Sequence, residues 1–136
     1  MEKEKKCSCT IKTISTDKAP SAIGPYSQAK KGGKLLFVSG QLGTDPATGA
    51  FAGDDLASQA VQAMENLKAI VTAAGLTMDD IVKTTCFISD MNNFAAFNEI
   101  YGKYFTAFPA RSCVEVSALP KGGLIEVEAI AFGEGE

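Results

Sequence analysis

The chain is predicted to be an α+β protein: one mixed β-sheet with two helices packed on the same face. Two segments show helical periodicity, and the rest of the apolar sequence falls into short β-like runs, in the order β-β-(β)-α-β-α-β-β. Helices separate some strands but not all, so the sheet combines crossover and direct connections. The last run alternates, with Ile125, Val127, Ala129 and Ala131 at one parity and Glu126, Glu128, Ile130 and Phe132 at the other. The first set is expected under the helices. At 136 residues and 46% hydrophobic content the chain suits one domain with its own core. Residues 1–9 read as an N-terminal tail and 10–136 as a single domain.

Taken in order, Thr10 to Ser15 forms a short β-like run, and Ala19 to Tyr26 (APSAIGPY) is a loop punctuated by two prolines and a glycine. Leu35 to Ser39 has strand length and ends at Gly40, where a glycine inside a strand pattern signals a bulge or a close backbone approach to ligand. Asp45 to Gly49 is a turn, and a short strand is expected around Ala50 to Ala52. Asp54 to Ala74 is the strongest helix. Leu56, Ala60, Ala63, Met64, Leu67, Ile70 and Val71 recur at three- and four-residue spacing. Asp54 or Asp55 supplies the N-cap, and Gly75 stands where a helix is commonly terminated. Ile81 to Ile88 is rich in β-branched residues and reads as a strand. Asn92 or Asn93 caps a second helix from Phe94 to Phe105. Ser112 to Ala118 is a strand, Leu119 to Gly123 a turn, and Leu124 to Phe132 the final strand.

Composition removes whole classes of chemistry. The chain has no histidine, which excludes Ser-His-Asp triads, Cys-His dyads and His-ligated zinc. Its positive charge comes almost wholly from lysine, with Arg111 the single arginine. A lone guanidinium in such a chain points either to a planar anion that it grips or to a helix cap or surface ion pair. The net charge of −3 speaks against a nucleic-acid groove. No apolar run approaches membrane-spanning length. The start MEKEKK lacks an apolar leader, and a reducing, cytoplasmic setting is expected. Cys86 and Cys113 lie in apolar runs and read as small packed thiols. Cys7-Ser8-Cys9 is an incomplete ligand set for a soft metal, so no metal site is expected.

The mixed face of the last strand carries acids among large apolar groups, which suggests closure against other subunits with carboxylates in the cleft between them. Strands 112–118 and 124–132 are expected to pair as an antiparallel hairpin. Arg111, Cys113 and Glu115 then share a parity. Glu126 and Glu128 join them if the register sum is odd, a point the pattern leaves open.

Several long motifs resemble the reactive intermediate deaminase family, also called the RidA or YjgF family. They are Gly24-Pro25-Tyr26-Ser27, Ser39-Gly40-Gln41, Ala74-Gly75-Leu76, Asp80 to Thr84, Pro109 to Val116, and Leu119 to Lys121 continuing through Ile125 to Ala129. The resemblance runs from Ile14 to Phe132. It implies a chorismate-mutase-like sheet, a homotrimer with sites between subunits, and hydrolysis of 2-imino acids and their enamine tautomers (2-iminobutanoate, 2-iminopropanoate) to 2-oxo acids and ammonia. No cofactor is implied. By motif position Arg111 is the substrate-carboxylate anchor and Glu126 the water-orienting acid. Cys113 lies beside the imine carbon, and Tyr26, Ser39, Gly40 and Asn98 line the pocket. The connection from Tyr101 to Pro109 is shorter than in many relatives, which bears on the shape of the entrance.

The chemistry agrees with the residue types. A guanidinium fixes a carboxylate through two parallel hydrogen bonds and so places the adjacent imine carbon. A glutamate in an apolar cleft can place water and move protons, and burial raises its pKa towards neutrality. Two other classes compete. A ribonuclease or translation inhibitor needs a basic groove, for which only Lys30, Lys31 and Lys34 form an internal cluster. A non-catalytic small-carboxylate-binding or chaperone-like module would use Arg111 but would not need Glu126 as a base.

Overall fold

The structure is a computed structural model and describes residues 10–135. Six strands form one sheet in the order β1-β2-β3-β6-β4-β5. They are β1 (Ile11–Ile14), β2 (Ala29–Gly32), β3 (Leu35–Leu42), β4 (Ile81–Ile88), β5 (Ala110–Glu115) and β6 (Ile125–Phe132). The helices are α1 (Leu56–Ala73) and α2 (Phe94–Tyr104). The β4–β5 pair is parallel and every other pair is antiparallel, so the sheet is mixed as expected. The Cys7-Ser8-Cys9 tail lies outside the described residues. Among them, no helix is long and apolar enough to cross a membrane.

The expected strand at residues 50–52 is a single bridge between Thr44 and Phe51. The sequence reading did not resolve β2, whose AKKG has little strand propensity. Its place follows from pairing on both sides, with β1 and β3.

The core lies between α1 and the sheet. Leu36, Met64, Leu67, Ile70, Val71, Ile88, Ile125 and Val127 are fully buried there. Asp55 caps α1 by accepting from the Ser58 amide, and Gly75 leaves the helix at φ 83°. Ahead of α2, Asp90 caps a short 3-10 turn at Met91–Asn93. Asn93 then stands at the N-cap of α2 without a side-chain bond.

The expected β5–β6 hairpin does not form. β6 lies between β3 and β4, and β5 is an edge strand beside β4. Burial explains the order. β6 has four fully or nearly fully buried apolar residues and gains most in the middle of the sheet, whereas β5 buries none of its residues completely. The connection crosses the end of β4, where the Val116 amide donates to Ile88 O and the Ser89 amide donates to Leu124 O.

This order settles the parity question. Arg111 and Cys113 lie opposite Thr84 and Cys86, which are both buried on the helix-covered face. Glu126 and Glu128 lie opposite Phe87 and Thr85, on the face without helices. The arginine and the two glutamates of one chain therefore occupy opposite faces of the sheet.

Candidate active site

The open face holds a cleft of about 770 Å³ whose lining includes Tyr26, Ser39, Gly40, Glu126 and Glu128. The sequence expectation placed four of these in one pocket, and the structure brings those four together. Ser39 and Gly40 form a bulge, since Val38 pairs with Ala129 while Gln41 pairs with Val127. Two residues of β3 thus oppose Glu128 alone. The Ser39 hydroxyl donates to Ser27 O at 2.6 Å, which ties the bulge to the segment carrying Tyr26. Tyr26 itself is half exposed at the rim.

Gly40 is needed for space. A Cβ there would lie 2.5 Å from Glu126 Oε2 and 2.8 Å from its carboxyl carbon. The bulge backbone and the Glu126 carboxylate are in close approach. Gly40→Ala is therefore expected to leave the fold intact and push the carboxylate aside. A displacement of about 1 Å at a reacting group typically costs about 10²-fold in rate. Retained circular dichroism with a collapsed kcat is the expected pair of measurements.

Burial raises the pKa of Glu126, and the neighbouring Glu128 raises it further. Its proton is thus held further up the pH scale than on an ordinary glutamate. The ionised fraction falls as pH drops through that raised value, so any turnover that used this carboxylate as a base would have an acid limb there. Glu128→Gln removes the like charge and is expected to move the acid limb of kcat/KM to lower pH. Burial is the larger cause, so part of the upward shift remains.

Arg111 lies on the other face, at the edge strand, held by α2. Its Nη1 donates to Asn98 Oδ1 at 2.6 Å. Its guanidinium carbon lies 4.7 Å from the Tyr101 ring centre and 5.5 Å from that of Phe94. Among the described residues no carboxylate pairs with it, so the ion-pair alternative is not realised. Asn98, expected to line the pocket, is here a support for the guanidinium. Phe94 and Tyr101 belong to this site although the sequence does not single them out as functional residues. The available signal was spacing: positions 94, 98 and 101 form an i, i+4, i+7 stripe and point one way.

Cys113 is partly buried and Cys86 fully buried, directly opposite one another on β5 and β4. Burial pushes the Cys113 thiol up and Arg111 pulls it back only in part. Burial also lifts Cys86, to about 12. Both are neutral thiols at pH 7, which argues against a nucleophilic role.

A two-layer α+β fold with a carboxylate cleft on its bare sheet face and, among the described residues, an arginine without an acidic partner on its edge strand defines the class. The model of the endoribonuclease L-PSP family matches residues 16–132, and the chain belongs to this family, known also as RidA or YjgF. It is 56% identical over 124 residues to the 2-iminobutanoate/2-iminopropanoate deaminase of Salmonella typhimurium, covering 88% of this chain and 96% of that one. Among solved structures it resembles the yjgF gene product of E. coli, with TM-score 0.86 and 51% identity over 90% of this chain and 99% of that one. It also resembles E. coli TdcF with bound serine, with TM-score 0.87 and 47% identity over 90% and 99% of the two chains.

Proposed function

We propose that this chain is a 2-imino acid deaminase acting on 2-iminobutanoate, 2-iminopropanoate and their enamine tautomers, and that it works as a homotrimer with sites between subunits. The observation that carries the reading is the division of parts within one chain. Among the described residues no acid pairs with the single arginine on one face, and the glutamate with the raised pKa stands in a cleft on the other. Each is half of a hydrolytic site. Closing the bare face of one subunit against the edge of another would join the halves. That face also exposes Phe37 and Phe132, apolar surface that assembly would cover. The Salmonella relative's name supports the substrate class. The serine on TdcF shows a structural relative holding a ligand with an α-carboxylate.

In this scheme Arg111 grips the substrate carboxylate and so fixes the imine carbon one bond away. Water attacks that carbon, the C=N π pair moves to nitrogen, and Glu126 takes the water proton. Glu126 returns the proton to the amine nitrogen. The hydroxyl proton passes to Glu126 and on to the departing ammonia as the carbonyl forms and the C–N bond breaks, so the protonated imine and water give a 2-oxo acid and ammonium. Cys113 contributes main-chain contacts beside the imine carbon. Ser39, Gly40 and Tyr26 shape the wall, and the reaction calls on no cofactor.

A ribonuclease reading finds little support in the lysines. Lys31 is buried and donates to Gly33 O, and Lys34 pairs with Glu134. Lys30, its side chain on the opposite face from Lys31, donates to Thr13 Oγ1. No continuous basic groove results from these three.

The direct test couples a pyridoxal-phosphate dehydratase to the protein and follows 2-oxo acid release against a competing amine trap. Faster release with the protein present is expected. Sedimentation equilibrium on the same preparation is expected to give three times the chain mass, and a stable monomer would overturn the composite site.

A further inference from the structure

The guanidinium of Arg111 is carried by a long, flexible side chain on an edge strand, and a bidentate grip requires it to be held in one plane. Asn98 supplies one fixed point but is itself exposed on α2. The rigid part lies beneath. The Tyr101 ring, 8% exposed, has the guanidinium carbon 4.7 Å from its centre. Its hydroxyl shares a buried 2.7 Å hydrogen bond with the hydroxyl of Thr84 on β4, the residue directly opposite Arg111 in the parallel pair. The ring has Phe97 edge-on at 5.7 Å and Phe105 tilted against it at 4.3 Å. It therefore has two aromatic neighbours and a tether at its tip. Burial holds the phenol above its ordinary range, so the ring is neutral at working pH.

We propose that Tyr101 is a positioning residue for the deaminase reaction: its ring is the platform that aims the Arg111 guanidinium at the substrate carboxylate. This rests on the reading of Arg111 as the anchor. The platform offers the cation a π face while leaving the N–H edges of the guanidinium free for the carboxylate, apart from the one N–H given to Asn98. A cationic head beside a carboxylate would pair with it and be lost to substrate. An aromatic face holds it without competing. The same side chain has a structural duty, the Thr84 tether, and the two duties sit on different atoms.

That separation makes the test. Tyr101→Leu removes the platform and the tether together, and Tyr101→Phe removes the tether alone. Thr84→Val breaks the same tether from the β4 side without touching the ring. Tyr101→Leu is expected to raise KM for the imine on the order of three- to thirtyfold, with a smaller change in kcat, and to weaken 2-oxobutanoate binding in calorimetry by a similar factor. Tyr101→Phe should restore most of that lost affinity. Thr84→Val should lower the melting temperature while leaving KM near that of the unmodified protein. If Tyr101→Leu and Thr84→Val lose melting temperature alike and neither moves KM, the ring is only structural and the proposal fails. Arg111→Gln separates the two levels. Unchanged 2-oxobutanoate affinity in that variant would remove the anchor itself, whereas its loss alongside unchanged affinity in Tyr101→Leu would remove only the platform. Should Tyr101→Leu fail to fold, Tyr101→Met supplies a buried apolar side chain without a π face, and the same KM rise is expected.

Discussion

Arg111→Lys is expected to lose most deaminase activity while the assembly survives. The charge stays, but the planar fork is replaced by a point charge on a flexible stem, and the two parallel bonds to the substrate carboxylate cannot both form. Losing one charge-assisted hydrogen bond costs about 1.5–3 kcal/mol, which corresponds to roughly 10- to 150-fold in affinity. The place of the guanidinium over the Tyr101 ring, 4.7 Å from its centre, is also lost. Little stability is at stake, because Arg111 is only partly buried and no carboxylate pairs with it among the described residues. The measurements are kcat/KM in the coupled assay and sedimentation of the variant. Near-normal turnover with lysine at this position would end the anchoring role.

The elements that pack on their own amphipathic signal were legible in the sequence. Ile81–Ile88 was read with its observed bounds, and α1 differs from its expected span by two residues at the start and one at the end. The alternation of β6 named both its buried and its open face correctly. Legibility failed where position in the sheet depends on competition between strands. The pairing of β5 with β4 rather than β6 follows from which strand buries more on becoming central, and no local pattern in Ala110–Glu115 records that. The same gap hid the division of the site. Arg111 and Glu126 were named from motif position, yet which face each occupies depends on sheet order, which spacing alone does not determine. Gly40 shows the opposite case. A glycine inside a strand pattern announced a bulge or an approach to ligand; the bulge is there, and the side chain lying against it, Glu126, was not foreseen as its neighbour.

Glu126→Gln is expected to bind a 2-oxo acid about as well as the unmodified protein and to hydrolyse imines far more slowly. The amide preserves shape and still donates and accepts hydrogen bonds, but it cannot take a proton from water. General acid–base assistance is typically worth about 10²–10⁴ in rate, and that range is the expected loss in kcat. Truncation to alanine would confuse this with a cavity. Burial and Glu128 both hold the Glu126 carboxyl above its ordinary pKa, so a neutral amide there should not destabilise the cleft. A binding-only module predicts unchanged behaviour in every measurement, whereas loss of both binding and turnover would make Glu126 a shaping residue. The opposite-face placement of Arg111 and Glu126 adds a sharper consequence. Arg111→Lys and Glu126→Gln chains, each inactive alone, should recover activity when unfolded together and reassembled. If each site takes its arginine from one subunit and its glutamate from the next, random mixing of equal amounts leaves about a quarter of the sites intact. Activity near that fraction is the expected result. No recovery from a well-folded mixed assembly would place both residues in one chain's site and overturn the composite arrangement.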